Sequence, residues 1–174
     1  MENTTTPVTT TSVGIRYGLL TGLVSIIFSF LQLSFIEDPE TPLRWLSLLI
    51  LVGGIWLAHK QFKQLRGGFM AYGEGLGIGT IVAAVSGGLG GVFSYIYLTF
   101  IDPGYMQRVM NLTRSRMEEK GMDDAQVDQA MAMVKKFSGG ALSTVFAVLG
   151  ALLIGFILSL IISAITKNPR PEFE

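Results

Sequence analysis

Four long apolar stretches, separated by short polar punctuation, set the pattern of this chain. The first runs from Val13 to Ile36 and stops at the acidic turn Glu37-Asp38-Pro39-Glu40-Thr41-Pro42, whose charges and prolines cannot continue a helix in lipid. The second, the shortest, runs from Leu43 to about His59 and gives way to a basic loop carrying Lys60, Lys63 and Arg66. The third covers Gly75 to Ile101 and the fourth Ala141 to Ile165. Apolar runs of about 18 residues or more reach across a hydrocarbon core about 30 Å thick. Lipid offers the backbone no hydrogen-bond partners, so runs this long predict helices rather than barrel strands. The expected fold class is all-α: a four-span membrane domain over residues 13–166, with polar tails at 1–12 and 167–174.

The segment 102–138 has a different rhythm. Apolar residues recur at helical spacing as Met106, Val109, Met110 and Met117, then as Val127, Ala130, Met131 and Val134, which predicts two amphipathic helices. Asp102 and Pro103 stand where an N-cap and first helical residue belong, and Gly121 where a left-handed stop belongs. Asp123 with Gln126 three residues on reads as a capping box, and Met122 with Val127 as a hydrophobic staple. The apolar faces of this pair must rest on each other and the bundle, on the membrane surface, or on a partner.

Small residues repeat every fourth position in three of the spans. They are Gly14, Gly18 and Gly22 in the first; Gly75, Gly79, Ala83, Gly87 and Gly91 in the third; and Ser143, Ala147, Ala151, Gly155, Ser159 and Ser163 in the fourth. Helices in lipid associate by close backbone approach, which such ridges permit, within one chain or between copies. A second regularity appears at an offset of 65, where Gly22, Phe28, Ser29, Leu33, Phe35 and Ile36 recur as Gly87, Phe93, Ser94, Leu98, Phe100 and Ile101. The match suggests a duplicated hairpin in which the first and third spans point the same way.

Composition agrees with lipid as the main solvent: 49% of the 174 residues are apolar, 15% are charged and the mean hydropathy is +0.50. Thirteen basic residues balance thirteen acidic ones, so no net field draws the chain to nucleic acid. Without cysteine there are no disulfides and no thiolate metal sites. Glu2 and the absence of a small-residue cleavage pattern predict a retained first span rather than a cleaved signal. Lys and Arg near the span ends are almost evenly shared between the two sides, and the acidic first turn tips the expectation toward cytoplasmic termini.

Candidate chemistry is sparse. The run Gly73-Glu74-Gly75-Leu76-Gly77-Ile78-Gly79 meets neither the dinucleotide nor the P-loop spacing, and reads as the start of a packed span. Glu74 is the one carboxylate adjoining a span from within. Paired with Arg16 it would form a polar site for an ion or proton; alone, it suits a helix N-terminus. His59, a lone histidine, is expected at the interface and cannot build a metal site, while Trp45 and Trp56 read as interfacial anchors of the second span. Six methionines crowd Met106 to Met133, where amphipathic packing explains them better than copper binding. No nucleophile elbow, zincin motif or kinase loop is present, so catalytic residues, cofactors and metals are expected to be none.

Gly68-Phe69 with Tyr72-Gly73-Glu74, Tyr95-Ile96-Tyr97 with Ile101-Asp102-Pro103 and Tyr105, Glu118-Glu119-Lys120-Gly121-Met122, and Ala130-Met131 with Val134-Lys135-Lys136-Phe137 together carry a likeness. By these residues the chain resembles the DUF4199 family, small bacterial four-span membrane proteins of unknown function. The resemblance implies a bacterial inner-membrane protein of one domain and brings no activity with it. The expected role is a non-catalytic accessory or interaction module. Its loop surface (Met106, Met110, Met117, Val127, Met131, Val134) would meet the lipid bilayer, another copy or a membrane-protein partner. The alternative is a small oligomeric transporter or channel with a polar path marked by Glu74, Thr80, Ser86 and Ser94.

Overall fold

The computed structural model describes residues 8–35, 42–138 and 140–170, apart from the side chains of 44 and 137–144. The acidic turn at 37–41, the tail before residue 8, residues 171–174 and the side chain of Ser143 lie outside this description. The described residues form six helices: α1 (Thr10–Phe35), α2 (Arg44–Leu65), α3 (Tyr72–Ile96), α4 (Tyr105–Glu119), α5 (Asp124–Ser138) and α6 (Gly140–Thr166). Four of them, α1, α2, α3 and α6, are long and apolar enough to cross a membrane.

Local chemistry sets the ends. Thr9 opens α1, its Oγ1 accepting from the Ser12 N–H at 3.1 Å. No loop begins after His59: α2 continues through the expected basic loop to Leu65. Lys and Gln are good helix formers, and fully buried Phe62 holds the extra turns against the core. The stop is Gly67-Gly68, both at positive φ, where the Gly68 N–H reaches back to the Lys63 carbonyl at 2.7 Å. Trp56 therefore lies well inside α2 rather than at its end. Helix α3 runs on into a π-helical turn, Tyr97–Ile101. There Tyr97 is buried against Phe30 and Phe93 and shares a hydrogen bond with Ser34 Oγ at 3.1 Å.

Between the third and fourth spans, α4 begins at Tyr105 and not at Pro103. The Asp102 carboxylate accepts both Nη groups of Arg108 and also faces the Gly104 and Tyr105 backbone N–H groups, as a cap does; Arg108 first, then these amides, hold it below the ordinary carboxylate range. Gly121 does end α4, at φ +81°, with the Gly121 N–H on Glu118 O at 2.9 Å and the Met122 N–H on Met117 O at 3.2 Å. These two bonds define a Schellman stop. Asp123 Oδ1 then accepts the Gln126 N–H at 2.8 Å and opens α5, and Arg114 bridges α4 to Asp128 on α5 at 3.1 Å. Open space surrounds Gly121, so Gly121→Ala should cost only the left-handed strain, about 1 kcal/mol. Amide exchange in α4 and α5 should quicken by about fivefold, and unchanged protection would disprove the stop.

The spans pack through their small residues. Helices α1 and α3 run parallel: a Cβ at Gly14, Gly18 or Gly22 would press on Ile81, Val85 or Leu89 respectively. That register lies within two residues of the offset of 65. The matched faces have different partners, however, since Gly79 and Gly75 face Ser159 and Ser163 of antiparallel α6. Gly155 faces Ala83, Gly91 faces Val148, and Gly87 approaches Ala151. Ala147 is exposed. Helix α2 closes the group, with Gly54 against Thr21 and Ile55 against Gly79. The core of Val13, Ile55, Ala58, Phe62, Met70, Ile78, Val82 and Ile162 lies toward the end of the bundle where α1 starts and α6 stops.

Candidate functional site

That same end gathers the polar groups. Helix α2 brings His59 and Lys63, the start of α3 brings Gly75, and the last turns of α6 bring Ser163 and Thr166. His59 is 0% exposed. Its Nε2 lies 2.8 Å from the Gly75 carbonyl oxygen and its Nδ1 2.8 Å from Thr166 Oγ1. A carbonyl only accepts, so Nε2 carries a proton. Lys63 Nζ donates to the Thr166 carbonyl at 3.1 Å, placing a cation at the negative end of α6.

Just outside this junction the chain is sewn together. Met70 and Asn168 exchange both backbone hydrogen bonds at 2.8 Å, and the Asn168 amide donates to Gly68 O at 2.9 Å. Arg170 lies 5.5 Å from the Phe69 ring. Glu74 is not paired with Arg16: its Oε1 accepts from Arg66 at 2.8 Å and its Oε2 from the Ala71 N–H at 2.8 Å. It thus caps α3 and ties α3 to the end of α2. A salt bridge this exposed is worth about 0–1 kcal/mol. Arg16 lies across the bundle end, in a cleft it shares with Gln61.

Two of the hydroxyls named for a polar path are turned onto their own helices: Thr80 donates to Leu76 O at 2.8 Å and Ser86 to Val82 O at 2.7 Å. On α6, Ser159 donates likewise to Gly155 O at 2.7 Å. Ser163 Oγ, by contrast, is buried and has no partner among the described residues. In the loop pair, Val127 is fully buried, while Met106, Met110, Met117, Met131 and Val134 are half-buried and Met133 is exposed.

A family model described as a protein of unknown function, DUF4199, matches residues 16–168. The chain belongs to the DUF4199 family. No curated protein and no solved structure matches the chain. In this DUF4199 protein the residues Gly68, Phe69 and Glu74 all serve the joint between α2, α3 and the C-terminal segment. The roles of His59 and Asn168 are hidden in the sequence because their partners are remote: Gly75 and Thr166 lie 16 and 107 positions from His59, and Met70 and Gly68 lie 98 and 100 from Asn168. The one local signal is the stripe Ile55, His59, Phe62, which puts His59 on the buried face of α2.

Proposed function

We propose that this DUF4199 protein is a non-catalytic interaction module of a bacterial inner membrane, with both termini cytoplasmic, that engages a membrane-protein partner through α4 and α5. The observation that carries the reading is the position of the pair. Among the described residues, helices α4 and α5 contact each other, and of the two only α5 has more than slight contact with a span, at α6. Helix α4 has no buried residue, although its methionines form one amphipathic face. Flexible thioether side chains suit an adaptable contact surface. A transport role has less support, because Thr80 and Ser86 spend their hydroxyls on their own helices and Glu74 is committed to a cap and to Arg66.

Photocrosslinking from position 133 in native membranes tests the reading. One discrete adduct is expected, and it should disappear when Met110 and Met131 are both changed to Ser. Glu74→Gln should leave that adduct unchanged. Loss of ion or solute flux with Glu74→Gln in reconstituted vesicles would instead establish the transporter and overturn the module.

A further inference from the structure

The end of the bundle that carries the termini also holds two adjoining clefts on α1, both lined by Ser12 and Arg16. The first, about 470 Å³, lies between α1 and the end of α2 and adds the polar groups of Thr9, Tyr17 and Gln61. The second is a shallow, open groove on α1 alone that runs over Ile15, Leu19 and Leu20, whose side chains are exposed. The volume of the first falls in the range of ligand sites, about 300–1,000 Å³. Among the described residues no acidic side chain pairs with Arg16. A guanidinium in a span calls for an anionic partner, since leaving it unpaired near hydrocarbon is costly.

We infer that these two clefts form a binding site for an anionic phospholipid. The phosphate sits on Arg16 with Gln61 and Ser12 as further hydrogen-bonding groups, and one acyl chain lies in the groove over Ile15, Leu19 and Leu20. Guanidinium matches phosphate in charge and in paired N–H geometry. Ser12 stands in the first turn of α1, at the positive end of its dipole, which adds to the attraction. A soluble anion would satisfy the polar cleft and gain nothing from the groove. A zwitterionic lipid would fill the groove but bring its own cation to Arg16. Only a lipid with net negative charge uses both clefts, and basic pockets between membrane helices are suited to such headgroups.

The test uses the full chain purified in mild detergent, with bound lipid counted by native mass spectrometry. Phosphatidylglycerol, phosphatidylcholine and inorganic phosphate are titrated separately. Phosphatidylglycerol should be retained about tenfold more tightly than phosphatidylcholine, and Arg16→Gln should remove that preference. Arg16→Lys should keep part of it. Leu20→Ser should weaken both lipids while sparing the headgroup preference, and keeps the test open if Arg16→Gln fails to fold by circular dichroism. Equal retention of the two lipids, or an unchanged preference in Arg16→Gln, would overturn the site. Inorganic phosphate competing at the concentration of the lipid would reassign it to a soluble anion and overturn the lipid assignment.

Discussion

Gly155→Val should separate α6 from α3 and cost about 3 kcal/mol of stability, at the upper end of the usual penalty for overpacking. A Cβ at position 155 would overlap the Cβ of Ala83 and stand 3.6 Å from its Cα. Ala83 has no rotamer to yield with, so the backbones themselves must part. Its loss would spread along the interface, because the contacts of Gly79 with Ser159 and of Gly75 with Ser163 depend on the same close approach. In lipid there is little hydrophobic gain to compensate, since tails are as apolar as the side chains they replace. Gly150→Ala is the control: nothing lies within 4 Å of its added Cβ, and removing a helical glycine should stabilise by about 0.5–1 kcal/mol. Gly22→Ala should fall between, because the nearest atom there is the mobile Cδ1 of Leu89, at 2.6 Å. Unfolding in a detergent titration, followed by circular dichroism, measures all three. If Gly155→Val and Gly150→Ala behave alike, the α3–α6 packing described above is wrong.

The four spans were legible because length and apolar content alone decide what can cross a bilayer. Gly121 was legible for a similarly local reason: a left-handed stop favours a residue without Cβ, and the flanking pattern marks where it falls. The small-residue ridges announced close contact but not its partners. By symmetry the ridge of Gly14, Gly18 and Gly22 invites pairing with the ridge of α3, yet it meets Ile81, Val85 and Leu89, and the α3 ridge turns to α6. Which ridge meets which depends on helix rotation, and that is fixed by all the neighbours together. The end of α2 was misread since lysines mark solvent in the sequence while remaining good helix formers in the fold. The partnership of Asp102 with Arg108, six residues on, was not legible, because a capping rule looks only at the backbone N–H groups that follow.

His59 is where local signals fail most and where the second large effect is expected. His59→Ala should cost about 2–4 kcal/mol, combining a cavity in the packed end of the bundle with two lost interhelical hydrogen bonds. The proton count sharpens the expectation. With Nε2–H given to Gly75 O, a neutral ring leaves Nδ1 as an acceptor, so Thr166 must donate to it. Thr166 Oγ1 also lies 2.7 Å from the Ile162 carbonyl, the other acceptor open to its single proton. Thr166→Val removes the donor and leaves Nδ1 buried without a partner, for a loss of about 1–2 kcal/mol, whereas Thr166→Ser should restore most of it. In the double variant His59→Ala with Thr166→Val the second change should add little, because its partner has already gone. The same detergent titration reads each variant. Additive losses would mean that the two residues stabilise the bundle independently, and that the His59–Thr166 hydrogen bond contributes nothing to the joint between α2, α3 and α6.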